Sequence, residues 1–331
     1  MKVEAVRVVS QTPGQAAMVT QIDRDSIGAG EVLIKVHYSG INYKDALAVT
    51  GRGKIARRLP LVAGIDLAGE IVASDDPDYA PGTLVLANGC GLGETHDGGF
   101  AEFARLPSDW VIPLPEGLSL REAMILGTAG FTAALALHRM EVNGQNPAMG
   151  PLVVTGATGG VGAFAARLAM KAGYEVVAVS GRVPLHDWLR RLGITQVVTP
   201  EALSLSDAPL QTARFGGVID NVGGPLLAKL ISSVQLWGNV ASIGLAASAE
   251  LSTTVFPFIL RGVSLLGVSS ANCPMVLRRA LWERLAEDWK LDNLEQHVVK
   301  EVSLAEVPEA AEQLLARKLK GRVLVRVTPS Q

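Results

Sequence analysis

The run Leu152-Val-Val-Thr-Gly-Ala-Thr-Gly-Gly-Val-Gly162 constrains the fold more than any other part of the chain. A buried-strand pattern leads straight into glycines, and an amphipathic helical pattern follows from Val161 to Ala172. Strand, tight turn and helix in that order open a dinucleotide-binding βαβ unit. The usual spacing is G-x-G-x-x-G; here Ala157 stands in for the first glycine, with Gly159 and Gly162 at the other two. Gly159 lets the backbone approach a pyrophosphate, and Gly162 lets the helix pack closely on the strand. The helix start adds free N–H groups and a positive dipole end. Thr158, Gly159, Gly160 and Val161 are therefore the candidate phosphate cradle. A plain tight turn is the bland reading, and the strand-before, helix-after context favours binding over it.

The surrounding pattern agrees. Strand signals at Glu175–Ser180, Gln196–Thr199, Gly217–Val222, Asn239–Ile243 and Ser264–Val268 alternate with helical ones near Asp187–Leu192 and over Pro225–Val234. Such alternation predicts an α/β doubly wound parallel sheet, a Rossmann arrangement. The first third differs. Val3–Val9 and Glu31–His37 alternate apolar and polar side chains, and short strands such as Glu70–Ala73 and Thr83–Leu86 are punctuated by glycine and proline, so this region is β-rich. Ser119, with Glu122 three residues on, caps a helix over Ser119–Leu126. Helices are expected at Pro274–Trp289 and Val307–Leu319, and a late strand at Arg322–Val327 is placed to complete the first domain's sheet. The expected division is residues 1–125 completed by 298–331, with 126–297 inserted between them.

The end of the second strand of the parallel sheet selects the cofactor. NAD-binding chains usually carry Asp or Glu there, on the ribose hydroxyls. Here the residues are Ser180-Gly181-Arg182. No carboxylate opposes a 2′-phosphate, Ser180 offers a hydroxyl, and Arg182 offers a planar fork for phosphate oxygens. NADP(H) is the expected cofactor.

With 331 residues the chain exceeds one ordinary core, and 48% hydrophobic residues suffice to fill two. The 30 basic and 32 acidic residues nearly cancel, which gives no reason to expect nucleic acid or a charged membrane surface as partner. Cys90 and Cys273 are too few and too far apart for a disulfide framework, which favours a reducing compartment. With no apolar leader and no uncharged apolar run of spanning length, a cytoplasmic location is expected. Two cysteines cannot supply a four-cysteine zinc site, and the five histidines show no ligand spacing with either. Without a Lewis acid, hydride addition to a conjugated C=C or a quinone is easier to support than reduction of a simple ketone.

Four segments carry a resemblance. Ile41-Asn-Tyr-Lys-Asp45, Gly64-Ile-Asp-Leu-Ala-Gly69, Ala157-Thr-Gly-Gly-Val-Gly162 and Gly321-Arg-Val-Leu-Val325 resemble the quinone-oxidoreductase branch of the medium-chain dehydrogenase/reductase superfamily. Gly127-Thr-Ala-Gly-Phe-Thr132, Val179–Arg182, Thr253–Arg261 and Leu265–Ser270 are similar to its acrylyl-CoA reductase subgroup. The resemblance implies a GroES-like β-rich catalytic domain plus the Rossmann domain, no zinc, a homodimer joined through Rossmann sheet edges, and NADPH-dependent reduction of acrylyl-CoA to propionyl-CoA. The chain departs from the subgroup in the loop Asn88–Gly99, which lacks tryptophans often found there and has Asp97 where an aromatic is common. Asn221 replaces a usual Thr or Ser.

The resemblance assigns Tyr43 a place beside nicotinamide and substrate, where its hydroxyl either positions the cofactor ribose or protonates the α-carbon. Asn42 and Asp45 hold the Tyr43 loop through side-chain-to-backbone bonds, with Asn42 better placed to touch substrate. Asp66 reads as structural. Thr128, Asn221, Gly244, Leu245, Ser269 and Ser270 are candidate cofactor contacts. Arg322 reads either as a phosphate ligand or as an exposed strand-edge charge. Lys54, Arg57 and Arg58 form a basic cluster for the CoA phosphates, against the commoner reading of a solvated surface. Two other functions compete: a quinone or alkenal reductase, with Phe100, Phe103 and Trp110 facing a flat ring, and a non-catalytic NADPH-binding sensor or structural partner.

Overall fold

The computed structural model describes residues 1–328. The chain divides into two compact units. One contains Met1–Thr128, Ala271–Glu287 and the chain from Asn293 on; the other contains Ala129–Ser270 with Asp288–Asp292. The helix Met275–Ala286 groups with the first unit, whereas the sequence reading put everything up to residue 297 in the second. Its side chains explain this: buried Trp282 donates from Nε1 to Asn88 Oδ1 at 3.1 Å, and just before the helix the Ala271 carbonyl accepts from the Cys90 N–H at 3.1 Å.

The first unit is built on two sheets. The smaller joins Ala17–Asp23, Lys2–Val8 and Leu61–Val62; the larger, of seven strands, runs Val298–Val302, Arg322–Arg326, Val32–Ile41, Asp66–Ser74, Leu84–Asn88 and Ile112–Pro113, with Phe103–Leu106 also on Val32–Ile41. Val32–Ile41 is mostly buried because it is paired along both sides. The late strand lies antiparallel to its end, Val323 opposite Ile41 and Val325 opposite Ser39. Val6, Val36, Leu67, Phe100, Val307 and Val325 belong to one apolar core.

The helix that begins after Ser119 is longer than expected, running Leu120–Val142 with a break at Gly127 (φ 48°, ψ −154°). The Ser119 hydroxyl and N–H both donate to Glu122 Oε2, the expected capping box. Among the described residues this one helix is long and apolar enough to cross a membrane by length and composition, yet 78% of its apolar window is buried inside the protein. It is a core helix, and its small residues Ala123, Ala129, Ala133 and Ala136 are buried.

The second unit carries a six-stranded, all-parallel sheet in the order Gln196–Val198, Val176–Val179, Leu152–Thr155, Phe215–Asp220, Val234–Ser242, Ser264–Gly267. Counted within this unit the order is 3-2-1-4-5-6, the doubly wound arrangement, with its crossover between Leu152–Thr155 and Phe215–Asp220. Both inner faces are covered, so Leu152–Thr155, Val176–Val179 and Phe215–Asp220 are buried at every position. Ser264–Gly267 forms one edge and alternates between half-buried and exposed.

Candidate active site

In the second unit, the cofactor candidates collect at the carboxyl ends of the parallel strands, where ligands of such sheets bind. Leu152–Thr155 ends in Gly156, whose φ of 61° makes the sharp turn. Gly156 thus makes the turn one residue before Ala157. Gly159 caps the helix Gly160–Lys171, and a Cβ there would meet nothing closer than the Gly156 carbonyl oxygen at 3.3 Å. That open face, beside the unpaired N–H groups of the first helical turn, fits a pyrophosphate. Gly162 is the opposite case: a Cβ would lie 2.4 Å from the same oxygen, so the helix packs against the turn only because no side chain intervenes.

Ser180 and Thr158 are both buried, with their hydroxyl oxygens 3.3 Å apart. The Ser180 hydroxyl accepts the Arg182 N–H at 3.1 Å, and its carbonyl lies 2.8 Å from His186 Nε2. These bonds fix the loop on which Gly181 has no atom within 4 Å of a built Cβ. Asn221 donates from its backbone to Thr155 Oγ1 at 3.0 Å and from Nδ2 to the Thr155 carbonyl at 2.8 Å. It ties together the two strands flanking the crossover, and its own carbonyl would lie 2.5 Å from a Cβ on Gly244. Leu245 is exposed, and Ser269 and Ser270 follow the edge strand.

In the first unit, Tyr43 stands at the first position of the helix Tyr43–Thr50 and is 57% exposed. Directly beneath it lies a buried polar network. Asn42 donates from Nδ2 to Asp66 Oδ2 at 2.7 Å and accepts at Oδ1 from Arg322 Nη1 at 2.9 Å. Asp45 accepts the Asn42 N–H and the Ile65 N–H, both at 2.9 Å. Asp66 accepts the Thr128 N–H on both carboxylate oxygens, at 3.1 and 2.9 Å, and also the Thr128 hydroxyl. Arg322 Nη2 is 3.7 Å from Asp66 Oδ2, and Nε donates to the Ile125 carbonyl at 3.0 Å.

One expectation changes here. Arg322 is 3% exposed and is committed to Asn42, Asp66 and the Ile125 carbonyl, so it is neither an exposed strand-edge charge nor open to a phosphate. The reason is topological: its strand lies inside the sheet, between Val298–Val302 and Val32–Ile41. Asp66, read as structural, is the hub that Asn42, Thr128 and Arg322 share. The signal was present in the sequence: a carboxylate amid Gly-Ile-Asp-Leu-Ala-Gly and a guanidinium leading Val-Leu-Val are each buried charges that demand a partner. Thr128 gives both its donors to Asp66.

One guanidinium faces two carboxyl groups. Burial first, and the Asp66 charge second, push the Asp45 carboxyl up to about 7, against the lowering pull of its bonds from Asn42 and Ile65. Burial likewise holds Arg322 below the usual guanidinium range, opposed by the charges of Asp66 and Asp45. The raised Asp45 carboxyl and the lowered Arg322 guanidinium share one main cause, burial in the same network.

The loop that follows Leu84–Asn88 is tied to the Tyr43 helix by Lys44 Nζ and Glu94 Oε1 at 2.6 Å. Asp97, in place of an aromatic, accepts the Val62 N–H at 2.8 Å and the Gly28 N–H at 3.0 Å and pairs with Arg58 at 3.2 Å. Arg58 is thereby spent on the loop, while Lys54 and Arg57 are exposed. Phe100 is fully buried core, not a ring-facing surface, and Trp110 packs edge-on to His96. A cleft of about 500 Å³ lined by Glu4, Gln21, Glu102, Glu301 and Arg326 shares no residue with the network.

Residues 28–116 match the alcohol dehydrogenase GroES-like domain, and residues 160–287 match the zinc-binding dehydrogenase family. The protein YhfP of Bacillus subtilis, provisionally named a quinone oxidoreductase, is 46% identical over 98% of both chains. The chain belongs to the medium-chain dehydrogenase/reductase superfamily. It is 42% identical to the acrylyl-CoA reductase AcuI of Ruegeria pomeroyi over 94% of each chain. Among solved structures, Escherichia coli YHDH with bound NADPH shares 44% identity, covering 98% of this chain and all of that one, with a TM-score of 0.93. B. subtilis yhfP with NAD bound shares 46% identity, covering 99% of this chain and all of that one, at 0.94. The word zinc in the second family's description does not fit these residues: no three His, Cys, Asp or Glu side chains gather as ligands among those described.

Proposed function

We propose that this enzyme uses NADPH to reduce the conjugated C=C of acrylyl-CoA to propionyl-CoA. The observation that carries the reading is the near-full-length similarity to AcuI of R. pomeroyi. The residues at the strand ends agree with it. Bound NADPH supplies the hydride that reaches the β-carbon, and a proton must then reach the α-carbon. The chain's part is to seat the pyrophosphate at Gly159–Val161, to hold the 2′-phosphate with Ser180 and Arg182, and to present Tyr43 from a fixed helix start. Thr128, Asn221, Gly244, Leu245, Ser269 and Ser270 complete the cofactor contacts in this reading, Thr128 and Asn221 by fixing the backbone around them. Arg322 serves instead by anchoring Asn42 and Asp66.

The solved relatives divide between NADPH and NAD. Ser180-Gly181-Arg182 decides for NADPH in this chain, because no carboxylate stands there to repel a 2′-phosphate. Arg182→Ala should raise the KM for NADPH far more than that for NADH; equal effects would refute the phosphate role. Exposed Lys54 and Arg57 are the remaining cations of the basic cluster offered to the CoA phosphates.

The name of YhfP supports a second reading, a quinone reductase on the same cofactor site. Initial rates of NADPH oxidation with acrylyl-CoA, crotonyl-CoA and a benzoquinone separate the two. Tight NADPH binding with no turnover on any of the three would point to a sensor. The proposal includes a cytoplasmic homodimer. One side of the edge strand Ser264–Gly267 pairs with no strand among the described residues, and the neighbouring Trp237, Ile259 and Leu260 are exposed apolar residues.

A further inference from the structure

The chain's only two cysteines, far apart in sequence, both lie in the first unit, near enough for Cys90 to act electrostatically on Cys273, whose Sγ faces the Pro274 carbonyl at 3.7 Å. The Cys90 N–H donates to the Ala271 carbonyl at 3.1 Å, which brings the 88–99 loop onto the segment leading into the helix Met275–Ala286. Cys90 Sγ lies 3.7 Å from Met275 Sδ, and Cys273 stands two residues before that methionine. A buried guanidinium closes the cluster: Arg278 Nη2 donates to the Ala271 and Cys273 carbonyls at 3.2 and 3.3 Å, and its charge acts on both thiols. Cys90 also holds a left-handed backbone (φ 54°) in a loop whose neighbours with the same sign of φ are Gly89, Gly91 and Gly93. Glycine would fill position 90 with less strain.

We propose that Cys90, Cys273 and Met275 form a seat for a soft monovalent d10 cation, Cu(I) or Ag(I). Two thiols and a thioether are the donors that such ions select. Zinc prefers four ligands and commonly takes imidazole or carboxylate among them, and no grouping of three or more His, Cys, Asp or Glu exists among the described residues. The balance is simple. One cation forms bonds to Sγ of Cys90, Sγ of Cys273 and Sδ of Met275, two thiol protons are released, and no electrons move. The resulting single negative charge faces the Arg278 guanidinium. Burial raises both thiols above their ordinary range. The loop that carries Cys90 also carries Glu94, the partner of Lys44 beside Tyr43.

The test is an anaerobic titration of the reduced full chain with Cu(I) presented as its bicinchoninate complex. One equivalent should leave the chelator, with a near-ultraviolet thiolate-to-copper band. Cys90→Ser and Cys273→Ser should each weaken uptake at least about tenfold, and Met275→Leu should weaken it less. Thermal unfolding of each variant checks the fold, and if one variant fails to fold the other two decide. Failure of the chain to draw copper from the chelator would overturn the proposal. So would uptake that survives unchanged in the folded thiol variants.

Discussion

Arg322 takes a positive charge into the interior of the first unit, where Asp66 and Asn42 meet it. Replacing it by Met leaves the Asp66 charge buried without its cation, and loss of one partner of a buried pair costs roughly 3–5 kcal/mol. Arg322→Met should therefore lower the unfolding free energy by about that much in urea titration; a change below about 1 kcal/mol would remove the network from the account. Asp45 gives a pH signature. Its carboxyl is raised to about 7 in the folded chain but titrates at the ordinary carboxylate value when unfolded. Between those values the folded chain binds the extra proton, so this group makes stability fall as pH rises through that window. Below the window both states are protonated, and above it the penalty is complete. Asp45→Asn should flatten the stability profile between about pH 4 and 7. An unchanged slope would contradict the raised carboxyl. The roles of Asn42 and Asp45 in holding the Tyr43 loop were legible from their residue types. The partners of Arg322 and Asp66 were not, because they come from strands far apart in sequence that only the folded sheet brings together.

At the scale of elements, the glycine turn divides binding from folding. Gly159 has an ordinary φ of −82° and a Cβ there would be a tight 3.3 Å from the Gly156 carbonyl oxygen, whereas at Gly162 a Cβ would lie only 2.4 Å from it. Gly159→Ala should cost less stability than Gly162→Ala while weakening NADPH binding, because its methyl meets the Gly156 carbonyl oxygen at a longer distance and projects into the phosphate cradle. Gly162→Ala should cost about 1–3 kcal/mol as an overpacked contact. Thermal melts paired with NADPH fluorescence titration would read both, and equal behaviour of the two variants would contradict the assignment. The strand–turn–helix order was legible here because all the residues are local. The long helix Leu120–Val142 was legible only to Leu126: Gly127 breaks the helical pattern with a left-handed φ of 48°, at a point where a Cβ would lie 2.6 Å from Asp66 Oδ2.

For the whole molecule, the alternating strand and helix signals were enough to foresee a parallel sheet, and the late strand was foreseen as part of the first sheet. The grouping of Met275–Ala286 was not, since that helix is fixed by contacts to Asn88 and Cys90 rather than by its own periodicity. The unpaired edge at Ser264–Gly267 makes a prediction at this scale. Sedimentation should give twice the 34.8 kDa chain mass at micromolar concentration, and Leu265→Lys should shift it toward the monomer. A wild-type monomer would contradict the homodimer. The central claim is chemical, and steady-state NADPH oxidation tests it most directly with acrylyl-CoA and a benzoquinone measured side by side. The account predicts a kcat/KM for acrylyl-CoA that is higher by orders of magnitude. A preference of that size for the quinone would contradict it.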